Sequence, residues 1–367
     1  MTFLMPTIKR ESRRRARQSS GFKKLSLCCF AVLTIATFLS SCNRSSSNSD
    51  SASNTNDPKP VFHLVTHGMA NDPFWAMAVK GWQDACERYG IDGRYVGTKS
   101  DGNTTEMLRN LQTVLATGSD GIGCVITNSS MLDQPLRQAI DRGIPVLAVN
   151  TADFRAPEER IPYLMYIGES SFNTGKANAE AVVKKFKKLS GRPPKHSIFL
   201  LHAPSIQCLE QRGDGMKSVL ENVGTKFSEV GCRFDATVTK TSIRSFLQAN
   251  PDVETIHTAA SQIAVWSIQA LRDLGRLGNV NKPFEEGKVY VGGIDIDHQL
   301  LGEIQQGNAI ATIDQQPYLQ GYYSAQTLFF YKNYGMLPSS DILTGPYVVD
   351  QDGAQTRIDQ LNSIRGS

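Results

Sequence analysis

The sequence predicts an α/β protein built of two lobes, each with a doubly wound parallel sheet. From Val61 onward, ten apolar runs of strand length alternate with segments of helical period. Several of the helical segments end in glycine, as at Gly90 and Gly118, which is typical of helix C-termini. The body of about 300 residues is long enough for two domains. Strands buried on both faces that alternate with helices form parallel sheets, and this many strands indicate two of them.

The predicted elements follow one another regularly along the chain. The apolar runs lie at 61–67, 93–98, 121–127, 144–150, 164–168, 197–203, 234–239, 255–260, 289–295 and 309–314. The clearest helical patterns lie between them, at 105–118, 131–143, 174–189 and 265–275. A further helical pattern follows the first strand, directly after the sequence "NDPFW" at 71–75. Two adjacent aromatic rings at such a turn are typical of a ligand site in α/β folds, but they can also cap a core.

The N-terminal residues indicate export. Residues 9–24 are rich in Lys and Arg, and the apolar stretch 25–39 that follows is too short to span a bilayer comfortably. We therefore interpret residues 1–41 as a signal peptide for the general secretory route. The sequence "LSSC" at 39–42 resembles a bacterial lipobox, which implies lipid modification of Cys42. An ordinary cleaved signal remains an alternative, whereas the apolar stretch argues against a nucleic-acid-binding arm.

Residues 42–60 are almost wholly polar and predict a flexible tether between a lipid anchor and the folded body. The body carries nearly balanced charge, so nothing favours nucleic acid as a partner, and we expect membrane contact only through the lipid. Its cysteines do not have metal-ligand spacing. The sequence leaves open whether Cys208 and Cys232 form a disulfide.

Ligands of open parallel sheets bind beyond the carboxyl ends of the strands, so the residues after each apolar run are candidates. These positions are rich in amides, hydroxyls and carboxylates, including Asn71, Glu169 and Gln207, and poor in His and Cys. Whether His67, at a strand end, contacts a ligand is left open. The sequence contains no P-loop, dinucleotide fingerprint, nucleophile elbow or metal spacing. We therefore predict a binding protein, not an enzyme, with no cofactor and no metal.

The order of several motifs carries a resemblance to a known family. They are "NDPFW", "DGIGCVIT", "AIDRGIPVLAVN", "IGESSFNTGKANAE", "VGGIDID" and "ATIDQQPYLQGYYSAQTL". From Val61 to about Val349, the chain resembles periplasmic sugar-binding proteins of the ribose-binding type, which are solute receptors of ABC importers. The resemblance implies the type I fold, in which two lobes are joined by a three-crossing hinge. It places the N-terminal lobe at 61–168 plus 316–345 and the C-terminal lobe at 169–315 plus 346–360.

The resemblance also implies a set of ligand-binding residues. Phe74 and Trp75 match the rings that stack on the sugar, and the polar positions are Asp72, Asn150, Asp295 and Gln315. Thr151 and Glu210 stand where ribose binders have arginines, which argues against ribose itself. An amide expected near Ala260 is absent, and Ser261 or Gln262 could substitute for it. Arg212 is interpreted as a structural residue at a helix start.

These observations predict a monomeric, lipid-anchored receptor in the periplasm. We expect it to capture a neutral sugar or sugar alcohol between closing lobes and to deliver it to the permease subunits of an ABC importer. The alternatives are a sensing module for a chemoreceptor or sensor kinase, and a receptor for a nucleoside or autoinducer. A transcription regulator of the lac-repressor type would need an N-terminal helix-turn-helix, where this chain has a signal and a tether. The sugar, the anchoring membrane and the choice between transporter and sensor remain open.

Overall fold

A computed structural model of the protein describes residues 58–204 and 206–366. The predicted signal peptide, Cys42 and all but the last three residues of the predicted tether lie outside this range. The strands are β1 (Val61–Val65), β2 (Asp92–Val96), β3 (Gly121–Cys124), β4 (Val146–Asn150), β5 (Tyr166–Glu169), β6 (His196–Leu201), β7 (Lys226–Gly231), β8 (Val253–Thr258), β9 (Tyr290–Ile294), β10 (Ala311–Asp314), β11 (Ile342–Gly345) and β12 (Tyr347–Val349).

Helices separate these strands almost throughout. They are α1 (Pro73–Tyr89), α2 (Thr104–Thr117), α3 (Ser129–Asp141), α4 (Ser171–Ser190), α5 (Gln207–Asn222), α6 (Ala236–Ala249), α7 (Ser261–Asp273), α8 (His298–Gln305), α9 (Pro317–Tyr334) and α10 (Gln351–Gly366). This alternation confirms the predicted α/β fold class.

The strands form two six-stranded sheets of matching order. The first sheet runs β11-β5-β4-β3-β1-β2 and the second runs β12-β10-β9-β8-β6-β7. The first five strands of the chain therefore correspond to the next five, so that β1 is equivalent to β6 and β4 to β9. Edge strand β11 lies parallel to β5, whereas β12 lies antiparallel to β10. The chain crosses between the sheets three times, after β5, after β10 and between β11 and β12.

Two helix pairs pack with their backbones in close contact. A Cβ atom on Gly81 of α1 would lie 2.0 Å from the carbonyl oxygen of Tyr318 in α9, and one on Gly175 of α4 would lie 1.9 Å from that of Arg212 in α5. Only glycine allows this approach. The contacts fix α1 and α5, which carry residues of the candidate site described below.

One of the ten predicted strands is wrong. The segment 234–239 lies beyond β7, and its last four residues begin α6. The side chain of Asp235 caps this helix by accepting a hydrogen bond from the backbone N–H of Val238 at 2.9 Å. Asp235 itself is extended, but as an N-cap it starts a helix at the next residue, which the apolar pattern alone could not show.

The four cysteines of the body, Cys86, Cys124, Cys208 and Cys232, are buried free thiols. The disulfide that the sequence left open between Cys208 and Cys232 is therefore not formed in this structure. Burial raises the pKa of the Cys124 thiol to about 12 and that of Cys232 to about 11, so both remain protonated at neutral pH.

Candidate functional site

A cavity lies between the carboxyl ends of the two sheets and is lined by residues that flank both of them. Six of the nine predicted ligand-binding residues line it: Asp72, Phe74, Trp75, Asn150, Asp295 and Gln315. Residues separated by more than 200 positions in the chain thus converge on one space.

The "NDPFW" turn places its polar and aromatic groups at the start of α1. Asp72 is the N-cap residue, and its Oδ1 accepts hydrogen bonds from the backbone N–H groups of Phe74 at 2.8 Å and Trp75 at 3.3 Å. Burial raises the pKa of Asp72, although these two hydrogen bonds oppose the effect. The carboxylate therefore holds the backbone that carries the two rings.

The rings of Phe74 and Trp75 meet edge to face, with centroids 4.9 Å apart and planes at 79°. Phe74 is half-buried, whereas Trp75 is only 4% exposed and belongs to the hydrophobic core of the first sheet. Both rings line the cavity. Trp75 thus combines the two roles that the sequence could not separate, because it fills the core and also borders the site.

Asn150 and Asp295 occupy corresponding positions at the ends of the equivalent strands β4 and β9. Both have left-handed backbone conformations, with φ of 63° and 67°. Asn and Asp adopt this region more readily than other non-glycine residues, and such conformations cluster at functional sites. The turn that follows each strand thereby leaves one amide and one carboxylate at the cavity.

An amide network connects these two residues across the sheets. Asn150 Nδ2 donates to Gln315 Oε1 at 3.4 Å and to Gln320 Oε1 at 3.1 Å. Gln315 Nε2 in turn donates to Asp295 Oδ1. Since Gln315 follows β10 at a crossing between the sheets, this network lies on the hinge side of the cavity.

Asp295 is a partly buried carboxylate at the cavity. Burial raises its pKa to about 7, and the nearby positive charge of Arg212 and the hydrogen bond from Gln315 only partly oppose this. A group that donates a hydrogen bond to Asp295 would stabilise the charged form. Hydroxyl groups of a ligand are suitable donors.

Three predicted ligand-binding residues lie outside the cavity wall. Asn71 is exposed on the surface before α1. Gln207 accepts a hydrogen bond from Ser129 Oγ at 3.1 Å and so joins the start of α5 to the start of α3. Glu169 is buried and accepts hydrogen bonds from Arg212 Nη2 at 2.8 Å and from Thr174. Its carboxylate is therefore paired with protein groups in this structure, and the ligand contact expected for it stays a prediction.

Arg212 does line the cavity, although the sequence indicated only a structural role. Its guanidinium is buried between Glu169 and the carbonyl oxygen of Ala259, to which Nη1 donates at 3.3 Å. Glu210, two residues earlier, is exposed. Beside β8, Ala259 and Ala260 reach the cavity and Ser261 and Gln262 do not. No described residue therefore supplies the missing amide at this position.

Besides Arg212, four polar or aromatic residues of the cavity wall are not among the predicted ligand-binding residues: Asp101, His67, His202 and Phe234. Asp101 lies after β2 and so belongs to the strand-end positions that are candidates by rule, and the sequence leaves the role of His67 open. His202 directly follows β6, so the strand-end rule could have found it. Burial, followed by the charge of Asp72, raises the pKa of Asp101 to about 7. Phe234 supplies an aromatic ring from the second sheet.

Among residues 58–204 and 206–366, no group of three or more His, Cys, Asp or Glu side chains is placed to hold a metal ion. Within the same ranges, none of the helices has the length and apolar character needed to cross a membrane.

Comparison with known proteins agrees with this architecture. A family profile described as a periplasmic binding protein domain matches residues 62–333. The chain is 25% identical over 301 residues to a xylose/arabinose-binding protein of Sulfolobus acidocaldarius, which covers 79% of this chain and 70% of that protein. It is 21% identical over 291 residues to a ribose import binding protein of Bacillus subtilis, a match that covers 79% of this chain and 88% of that protein.

A solved structure has the same fold. A carbohydrate transporter from Acidothermus cellulolyticus, in complex with myo-inositol, superposes with a TM-score of 0.71 at 25% identity. The match covers 84% of this chain and 99% of that one.

Proposed function

Because the chain belongs to the periplasmic binding protein family, we propose that it is the solute receptor of an ABC importer. It captures a neutral sugar or sugar alcohol between two closing lobes and delivers the ligand to membrane permease subunits. Relatives named for xylose, arabinose and ribose binding support this class of ligand. A receptor of this kind binds and releases its ligand without chemical change.

The observation that carries the proposal is the composition of the cavity. Phe74 and Trp75, at the start of α1, supply rings on the side of the first sheet, and Phe234, after β7, supplies one on the side of the second sheet. Carboxylates and amides lie among these rings. A sugar has apolar C–H faces that aromatic rings can cover and hydroxyl groups that donate to carboxylates. Among the described residues, the cavity wall contains one arginine, Arg212, and it is already paired with Glu169, so the site favours a neutral ligand over an anion.

Closure of the lobes provides the mechanism. The sheets already touch across the cavity mouth, where Ser129 bonds to Gln207 and Asp101 Oδ2 lies 3.7 Å from His202 Nε2. A sugar that contacts both sheets stabilises this closed arrangement relative to an open one. The permease then recognises the closed form.

The proposal includes the domain boundaries and the location of the protein. The lobes are residues 61–168 plus 316–345 and residues 169–315 plus 346–360, which is supported by the interleaved membership of the two sheets. The protein acts as a monomer in the periplasm, held by lipid on Cys42. The basic and apolar N-terminal segments and the "LSSC" sequence support this anchor.

A calorimetric titration of the purified protein with D-xylose, L-arabinose, D-ribose and myo-inositol tests the function. We expect saturable binding of at least one of them, with one site per chain, and a higher melting temperature in its presence. Nucleosides and sugar phosphates serve as controls. If a nucleoside bound and none of the four sugars did, the proposed ligand class would be wrong.

A further inference from the structure

Two buried histidines approach the cavity from equivalent places in the two sheets. His67 lies just after β1, and His202 directly follows the equivalent strand β6. His67 is 8% exposed, the side chain of His202 is 7% exposed, and both line the cavity. The hydrogen bonds of the fold do not explain the role of either histidine.

Each histidine has a ring nitrogen without a partner. Among residues 58–204 and 206–366, nothing forms a hydrogen bond with Nδ1 of His67 or Nδ1 of His202. Leaving a buried polar group unpaired costs about 1 to 3 kcal/mol, so where such a group belongs to a residue of a cavity wall, a ligand is a suitable partner for it. Aromatic neighbours hold both rings. The rings of His67 and Trp75 meet edge to face with centroids 5.3 Å apart, and the ring centroids of His202 and Phe234 are 5.6 Å apart.

The protonation state of the rings limits the chemistry of that partner. Burial lowers the pKa of His67 to about 3 and that of His202 to about 4, and the charge of Arg212 adds to both effects. Both rings are therefore neutral at physiological pH, and each has one N–H donor and one acceptor nitrogen. A hydroxyl group both donates and accepts, so it can pair with Nδ1 in either tautomer.

We propose that His67 and His202 are specificity-determining residues that bind two hydroxyl groups of the sugar, one from each lobe. This inference rests on the proposed function and extends it, because it defines the ligand at one end of the cavity. The sugar must carry unsubstituted hydroxyl groups at that end. Asp101 Oδ2 lies 3.7 Å from Nε2 of His202, and its pKa of about 7 leaves the carboxyl group partly charged at neutral pH, so a phosphate or carboxylate group is disfavoured there.

His257 provides a matched control. It is fully buried on β8 in the second sheet, its Nε2 also has no partner within the described ranges, and burial lowers its pKa to about 3. Its Nδ1 is 2.6 Å from Asn178 Oδ1, and it does not line the cavity. A substitution of His257 therefore reproduces the loss of a buried histidine without changing the site.

The test uses the full-length protein and the tightest binder among D-xylose, L-arabinose, D-ribose and myo-inositol as the probe. We expect His67→Leu and His202→Leu each to weaken its binding about fivefold to tenfold. His202→Asn, which can replace Nδ1 by an amide group, should stay within about twofold of the wild type. His257→Leu should lower the melting temperature and leave the affinity unchanged.

Monodeoxy derivatives of the probe separate a direct contact from a structural effect. One derivative should bind the wild-type protein about fivefold to tenfold more weakly than the probe does. The same derivative should bind His202→Leu as tightly as the probe does, because the hydrogen bond that it lacks is already absent from this variant. If the wild type binds the probe and both leucine variants bind it equally well, the inference is overturned while the function stands. If the wild type binds none of the four sugars, the proposed function itself fails.

Discussion

Replacing Asp295 by asparagine is expected to stabilise the ligand-free protein and to weaken sugar binding. The change preserves the shape of the side chain, and its remaining oxygen can still accept the hydrogen bond from Gln315. It removes the negative charge and one of the two acceptor oxygens. The two effects have opposite signs, which distinguishes a ligand-binding residue from a purely structural one.

The stability effect follows from the raised pKa of Asp295. Between the ordinary value of 3.8 and the buried value of about 7, the folded protein binds more protons than the unfolded chain. The contribution of Asp295 to stability therefore falls as pH rises through this window, by at most about 4 kcal/mol. The asparagine variant does not titrate, so its gain over the wild type should be small at pH 4.5 and largest at pH 8.

The binding effect comes from the lost acceptor. A hydrogen bond to a charged group is worth about 1.5 to 3 kcal/mol, so the affinity should fall by about 10- to 150-fold. Calorimetric titration at pH 8 measures the affinity, and urea unfolding at pH 4.5 and pH 8 measures the stability difference. Unchanged affinity together with a stability difference that does not depend on pH would refute the reasoning.

Four further substitutions test other parts of the proposal. Phe74→Ala and Trp75→Ala should each weaken sugar binding by about ten- to a hundredfold through lost ring contact. Trp75→Ala should also destabilise the fold, by about 3 to 5 kcal/mol, because Trp75 belongs to the hydrophobic core, whereas Phe74 is half-buried against that core and Phe74→Ala should cost less stability. Wild-type affinity of both variants in calorimetry would exclude the stacking role. Gln207→Ala removes the hydrogen bond to Ser129 that joins the two lobes, so it should speed sugar release about two- to fivefold in stopped-flow measurements. Thr113→Ala, on an exposed helix surface, is the control and should leave the release rate unchanged. Cys42→Ser should release the protein from membranes in cell fractionation, and a mature N-terminus elsewhere than Cys42 would contradict the lipid anchor.

Much of the fold could be predicted because its signals are local. Apolar runs and helical periods alternate, and a parallel sheet directs the residues after its strands to one edge. That rule includes Asn150 and Asp295 among its candidates, since they lie at the ends of β4 and β9, and the family resemblance singles them out; both line the cavity. The error at 234–239 arose where a capping aspartate outweighed an apolar pattern.

The rest of the site depends on contacts between distant parts of the chain. Glu169 lies at the end of β5, where a ligand-binding residue is expected. The pairing of its carboxylate with Arg212 is a tertiary contact, which the position along the strand does not show. The same applies to His202, whose place beside Asp101 requires the two sheets to be brought together. Position along a strand predicts which edge a residue reaches, but it does not show which neighbour its side chain meets.

The central claim is that one sugar is held between the two sheets by groups from both of them. A crystal structure of the protein grown with the tightest binder among the four sugars tests this claim most directly. The account predicts electron density for one sugar in the cavity, against the ring of Phe74 and within hydrogen-bond distance of Asp295. Density for the sugar at another place, or bound to groups of one sheet only, would contradict it.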